Sequence, residues 1–194
     1  MRETLKLSLL LAAIAGLCGA LLVAVSAKTE PARKTADERK RLAAVESVIG
    51  KGGASRRIVP AGENAFAVFE GEGANAAFAG AAIVGMSAHG YGGPVSLMVG
   101  FDAAGNVIDF AVIESHETPG LGAKIAGDAF RSGFRGRPAG GAWKLRKDGG
   151  DIDAVTSATI SSRAAAEAVA DAASRFGIIN ASISNTTNTT GNQP

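Results

Sequence analysis

Residues 149–168, GGDIDAVTSATISSRAAAEA, place small hydroxylated side chains directly ahead of an alanine-rich stretch. Hydroxyls at the start of a helix can serve two ends. Ser161 or Ser162 can cap the helix, a contribution of about 1 kcal/mol that needs no ligand. Alternatively, the unpaired amides of the first helical turn and the positive end of the helix dipole favour a phosphate beside Thr159, Ser161 and Ser162. Capping leaves Thr156, Ser157 and Thr159 without a purpose, and on this segment alone both readings stay open. A second run, His116-Glu117-Thr118-Pro119-Gly120-Leu121-Gly122, reads by composition as a turn built on Pro119-Gly120. A third chemistry, hydrolysis by a Ser or Thr nucleophile with His89 or His116 and an aspartate, lacks a G-x-S-x-G elbow. A ligand-binding module without redox function is the remaining rival.

Composition narrows these options. The chain has 194 residues, 46% hydrophobic and 20% charged, which excludes a disordered tail protein. Its one cysteine, Cys18, excludes thiolate zinc sites, four-cysteine iron–sulfur clusters, CxxCH haem attachment and an internal disulfide. Any redox cofactor must therefore be held another way, and no metal site is expected. Twenty basic residues stand against eighteen acidic ones, with no basic block beyond Arg39-Lys40-Arg41, so nucleic acid is not the expected partner. An aromatic content of 5% also leaves no base-stacking platform.

The elements that must position these residues follow from hydropathy pattern. The uncharged run from Leu7 to Ala27, after Arg2 and Lys6, is long enough at about 1.5 Å per residue to cross a hydrocarbon core of roughly 30 Å. It predicts a membrane anchor over 1–27; Val25-Ser26-Ala27, which resembles a signal-peptide cleavage site, offers the rival reading. Lys28, Arg33, Lys34 and the Arg39 cluster put more positive charge after the span than before it, which by itself places the domain on the cytoplasmic side. A linker and amphipathic helix follow over 28–56, with Leu42, Val45 and Ile49 at helical spacing. The runs RIVP, AFAVFE, AGAAIVGMSA, VSLMVGF and VIDFAVIES then predict strands, the last two joined through a DAAGN turn at 102–106. One helix is expected over 124–134, with Ile125, Ala129 and Phe130 on one side, and another over 162–176, closed by Gly177. Strands followed by helices point to an α+β domain over 57–183 with a mainly antiparallel sheet. Residues 184–194, polar and low in complexity, are expected to be a disordered tail. The Asn180-Ala181-Ser182 triplet is taken as a coincidental glycosylation match.

Two motifs carry a family resemblance. Asp153-Ala154-Val155-Thr156-Ser157-Ala158-Thr159-Ile160-Ser161-Ser162 resembles the D-x-x-[ST]-G-A-T-x-[ST] flavinylation motif of FMN-binding domains. His116-Glu117-Thr118-Pro119-Gly120-Leu121-Gly122 is similar to the H-x-E-T-P-G-L-G signature of the G subunit of the Rnf electron-transport complex and of its relative, the C subunit of the sodium-translocating NADH:quinone reductase. Gly90-Tyr91-Gly92-Gly93-Pro94-Val95 resembles the glycine-rich turn that opens the family's hairpin. Three departures stand out: serine at 157 where the family has glycine, histidine one residue nearer the glutamate, and the basic flank after the anchor.

The resemblance implies FMN esterified through its phosphate to Thr159, with Thr156, Ser157 and Ala158 around the attachment point and Thr118, Leu121 and Tyr91 about the ring. It implies that Asp153 serves recognition by the flavin transferase that installs FMN, or fixes the turn, and that no residue of this chain is catalytic. It further implies a single-pass protein of the inner membrane with its domain on the extracytoplasmic, periplasmic side. Such a protein relays electrons among the membrane subunits of an ion-translocating ferredoxin:NAD+ oxidoreductase; the equivalent quinone-reductase component is the alternative.

Overall fold

The computed structural model describes residues 2–49, 54–61, 64–72 and 78–190. The chain forms two compact units, Met1–Lys40 and Arg41–Pro194. Helix α1, Arg2–Ile49, carries the apolar run of the first unit, where Leu9, Leu11, Leu22 and Val23 are all exposed. It is one helix long and apolar enough to cross a membrane. The expected break between anchor and amphipathic segment is absent, and helix continues through Pro31. Proline removes one backbone donor there, while Thr35 Oγ1 donates to the Pro31 carbonyl at 2.8 Å, one turn back.

The second unit is built on a five-stranded antiparallel meander in the order β1-β2-β3-β4-β5. Its strands are β1 (Ala54–Ala61), β2 (Asn64–Glu72), β3 (Phe78–Ser87), β4 (Val95–Asp102) and β5 (Val107–Ser115). All five coincide with the β-rich runs of the sequence. The β4–β5 turn closes as its residues dictate: Gly105 takes the left-handed conformation at φ 84°, and the Asn106 amide donates to Asp102 Oδ1 at 2.7 Å.

Alternation along β4 gives the sheet two apolar faces. Val95, Leu97, Val99 and Phe101 turn to helix α3, Thr159–Thr190, while Met98 turns the other way. On the α3 side Phe101 stacks on Phe176 with centroids 4.8 Å apart. On the opposite face the end of α1 supplies Ala44, Val45 and Val48 to a smaller core with Ala82 and Met98. Of the stripe expected from Leu42, Val45 and Ile49, Val45 is buried as expected, Leu42 is not, and the Ile49 side chain lies outside the described residues. Leu42 is exposed, because the helix meets the sheet through small residues that permit close approach.

Two other expectations change. The helix expected over 124–134 is split into a 3₁₀ turn, Gly122–Ala126, and a short helix α2, Asp128–Arg131, by Gly127, which is extended at φ −72° and ψ 147°. Ile125 and Phe130 still reach the core, but Ala129 is exposed. Helix α3 begins at Thr159, ahead of the expected start, and passes Gly177 without stopping, so that 184–190 are helical. Gly177 lies inside a long apolar helix whose Phe176 and Ile179 are buried, and that packing outweighs its preference for a helix end. Residues 191–194 lie outside the described residues.

Alanines 164, 165, 168 and 172 face the sheet, so α3 sits unusually close to β3. A Cβ at Gly85 would collide with the Ala168 carbonyl oxygen and lie 2.9 Å from the Ala172 Cβ. Gly85→Ala is expected to lower stability by about 1–3 kcal/mol through overpacking, read from the urea unfolding midpoint. An unchanged midpoint would show that α3 can lift away from the sheet at no cost.

Candidate functional site

A cavity of about 520 Å³ opens at the N-terminal end of α3, lined by Tyr91, Glu117, Thr118, Leu121, Gly122 and the stretch Ser157, Ala158, Thr159, Ile160 and Ser161. That volume is in the range of small-molecule sites. Three segments build it. The β3–β4 loop brings Tyr91, the loop after β5 brings Glu117 to Gly122, and the loop before α3 brings residues 157–161.

Each segment has a local cause. After β5 the chain turns at Thr118-Pro119-Gly120-Leu121, where the Leu121 amide donates to the Thr118 carbonyl at 3.2 Å and Gly120 takes φ 78°. Proline then glycine at the centre of such a turn fits both dihedral demands. Ahead of α3, Ser157 adopts φ 63°, the only left-handed residue other than glycine among those described. This is the position where the resembled motif has glycine, so the sequence departure falls where a side chain is most costly.

Glu117 ties the three segments together. It is buried, with 8% of its surface exposed. Its Oε1 accepts the Tyr91 backbone amide at 2.8 Å, and its Oε2 accepts the Ser161 hydroxyl at 2.6 Å. The space is made by glycines: a Cβ at Gly122 would lie 2.5 Å from Oε2, and one at Gly90 2.6 Å from Oε1.

The hydroxyls of the 149–168 run are thereby sorted. Ser161 is spent on Glu117. Ser162, fully buried, donates to the Ala158 carbonyl at 2.8 Å and accepts the Val155 amide at 2.9 Å. Neither is a helix cap, and neither is free for a phosphate. Thr156 is exposed and lines a separate groove of about 430 Å³ with Lys124, Asp128 and Asp153, so it does not join the cavity. Asp153 is exposed and pairs with Arg146 at 3.0 Å. Of the seven residues expected about a cofactor, six line the cavity: Thr159, Ala158, Ser157, Thr118, Leu121 and Tyr91. Thr159 Oγ1 accepts a long hydrogen bond from Lys147 Nζ at 3.5 Å, and among the described residues its hydroxyl donates to no partner.

Charge around this end of α3 is organised by the 3₁₀ turn Arg146–Asp148. Asp148 makes a two-pronged pair with Arg163 at 2.9 and 2.8 Å. The Arg163 guanidinium holds the Asp148 carboxyl below its ordinary range, and Asp148 in return raises Arg163. Further along α3, Glu167 accepts Ser87 Oγ at 2.7 Å and meets His89 Nδ1 at 2.8 Å. Partial burial pushes the Glu167 carboxyl up, but its hydrogen bonds with Ser87 and His89 and the nearby Arg163 outweigh that and hold it below its ordinary value. This set is not a hydrolytic triad. Ser87 donates to the acid rather than to the imidazole, so the serine–histidine–acid order of a triad is not formed.

Sequence reasoning missed Glu117 as the bridge, Ser161 as its partner, and Ile160, Gly122 and Lys147 at the site. The available signal was an acid embedded among glycines in two separate runs, Gly90 to Gly93 and Gly120 to Gly122.

Residues 90–174 match the FMN-binding domain family. The chain is 44% identical over 99 residues to the G subunit of the ion-translocating oxidoreductase complex of Yersinia pestis, covering 48% of this chain and 47% of that protein. It is 38% identical over 92 residues to the G subunit of the proton-translocating ferredoxin:NAD(+) oxidoreductase complex of Clostridium ljungdahlii, covering 46% of this chain and 50% of that protein. The chain thus spans about half the length of the curated relatives it matches. Among solved structures, NqrC of Shewanella oneidensis superposes with a TM-score of 0.45 at 19% identity, over 63% of this chain and 64% of that one.

Glu117→Ala leaves the Tyr91 amide and the Ser161 hydroxyl without an acceptor, and the expected loss is about 1–3 kcal/mol for each, measured by urea unfolding of the unmodified protein. A total loss under about 1 kcal/mol would show that water replaces the carboxyl freely. Ser157→Gly is expected to act in the opposite direction, stabilising by about 0.5–1 kcal/mol because relief of left-handed strain exceeds the added freedom of the unfolded chain. A fall in the melting midpoint would refute the strain.

Proposed function

We propose that this chain is a membrane-anchored flavoprotein subunit in which FMN is esterified to Thr159, and that it relays electrons within an ion-translocating ferredoxin:NAD+ oxidoreductase of the Rnf type. One observation carries the reading. The motif threonine, contacted at its hydroxyl only by the Lys147 ammonium among the described residues, lies in the same cavity as Tyr91, Thr118 and Leu121, which reach it from loops far apart in the chain. The match of residues 90–174 to the FMN-binding domain supports the cofactor. The printed names of the relatives, components of ion- and proton-translocating oxidoreductase complexes, support the assembly and its membrane partners.

The cavity fits such a group in its chemistry. Tyr91, Leu121 and Ile160 are large apolar side chains with 69%, 45% and 47% of their surface exposed, a rim suited to a planar ring. At the attachment end the first-turn amides of α3 and the Lys147 ammonium suit a phosphate. FMN, once bound, supplies one- and two-electron redox chemistry, and the protein holds and presents it.

Attachment is a transfer from FAD. Thr159 Oγ forms a bond to the FMN-side phosphorus, the anhydride bond to the adenylate breaks with its electron pair on AMP, and the hydroxyl proton is lost to a base. Among the described residues no carboxylate or imidazole is hydrogen-bonded to Thr159 Oγ1. We assign the base to a separate flavin transferase with Thr159 as its substrate, since a free hydroxyl is a weak nucleophile that needs an external catalyst, which a metal ion can assist. Asp153, exposed beside this loop, is the residue we assign to recognition by that enzyme. Such transferases act outside the cytoplasm, so the reading places the chain in the inner membrane with its domain on the periplasmic side.

The test is intact-mass spectrometry of the full chain purified from membranes after expression with a flavin transferase. The mass of FMN less one water is expected on the wild type and absent from Thr159→Ala, with a fluorescent band under ultraviolet light tracking it in denaturing gels. A transferase retained in the cytoplasm should leave the protein unmodified. Added mass that survives in Thr159→Ala would move the bond to another residue, and no added mass on the wild type would remove the electron-carrier assignment.

A further inference from the structure

The loop Arg146–Asp148 carries three charges, and the structure accounts for two of them. Arg146 pairs with Asp153 at 3.0 Å, and Asp148 pairs with Arg163 at 2.9 and 2.8 Å. Lys147, between them, has no carboxylate within ion-pair distance among the described residues. Its ammonium instead stands 3.5 Å from the Thr159 hydroxyl oxygen, at the first residue of α3.

In the unmodified protein Lys147 feels the attraction of the neighbouring Asp148, but that carboxylate's hydrogen bonds go to Arg163, and the helix end itself disfavours a cation. A helix N-terminus carries roughly half a positive charge, so a cation beside it is disfavoured relative to no charge. The first turn of α3 contains no acid to offset it. The two ion pairs that flank Lys147 fix the turn from which it projects. A neutral hydroxyl does not repay that arrangement, whereas an anion on the same oxygen does.

We propose that Lys147 is the counter-ion of the phosphate on Thr159, a binding residue held in place before the anion arrives. The inference rests on the reading of Thr159 as the attachment point. Esterification puts a phosphodiester, with one negative charge, on the oxygen that Lys147 already faces. That charge would meet the ammonium and the first-turn amides of α3 together, converting a repulsion into an attraction. Modification therefore strengthens the fold at the end of α3 as well as supplying the cofactor.

The proposal separates Lys147 from a residue that merely packs. The experiment uses the full chain in detergent micelles, produced with and without a flavin transferase, with intact mass recorded for every sample. The wild type, Lys147→Met and Lys147→Arg are melted by circular dichroism at low and at high salt. Flavinylation is expected to raise the wild-type midpoint, and Lys147→Met should shrink that gain by about 2 °C at low salt. The unmodified Lys147→Met protein should melt no lower than the unmodified wild type, and Lys147→Arg should keep most of the gain. The difference should fade at high salt. Equal loss in both forms of Lys147→Met would overturn the proposal in favour of packing, as would an unaltered gain. A wild type that gains no FMN mass would instead overturn the reading of Thr159, and the counter-ion with it.

Discussion

The site depends on a buried carboxyl with two donors. Glu117 takes the Tyr91 amide on one oxygen and the Ser161 hydroxyl on the other, so a glycine-rich loop, a proline turn and a helix end converge on one side chain. Burying such a group is favourable only when its oxygens are satisfied, which makes the bridge demanding of geometry. The glycines around it follow from that demand. At Gly90 and Gly122 any side chain would intrude on the carboxyl, and at Gly92 one would collide with the His116 carbonyl oxygen. The glycines of both loops thus make room for the acid at Gly90 and Gly122 and for the close approach of loop backbones at Gly90 and Gly92.

What aims the helix at that acid is the sheet. The alanine face of α3 lies against β3 and β4 with Gly85 beneath it, and the stacked pair Phe101 and Phe176 fixes the helix further along. Small residues lower the contact distance, so the helix backbone itself packs against the sheet. The end of α1 packs similarly on the other face through Ala44, Val45 and Val48. A strand such as β4, covered on both sides, has no freedom to shift register, because a slip of one residue would exchange its two faces. The loops at its ends inherit that fixity.

Much of this was legible in the residues. The five strands follow their β-branched and alternating runs, and the 102–106 turn follows from its Asp, Gly and Asn. The motif around Thr159, the loop at Thr118 and Tyr91 in the glycine-rich turn pointed to all three walls. What could not be read depends on tertiary partners. Gly127 breaks a periodic helical pattern because the chain there turns extended, and periodicity carries no record of that. Leu42 looks like a core residue by spacing, yet the core takes Ala44 and Val48, whose small size matters only once the distance to the sheet is known. Ser161 and Ser162 fit an N-cap by position, but the helix starts at Thr159, and both hydroxyls are drawn to partners that the sequence does not place nearby. Thr156 shares the motif with Thr159, and the left-handed turn at Ser157 sends it into a different groove.

The form of the cavity bears on why a cofactor there would be tethered. Ligand sites that hold by burial alone cover most of their ligand's surface. Here the apolar rim is largely open: Tyr91 is 69% exposed, and Leu121 and Ile160 nearly half. Such a rim contributes contact on one side of a ring and leaves the other toward solvent or a neighbouring protein. Openness favours electron exchange with a partner and weakens retention, two requirements that one surface cannot meet together. The covalent link proposed at Thr159 would separate them. Retention falls to one bond at the helix end, where the amides and Lys147 can meet a phosphate, and a linked ring stays at high local concentration even when its contacts are weak. The rim is then free to stay shallow, and the rigid part of the structure, the Glu117 bridge beneath it, need only hold the three loops in register.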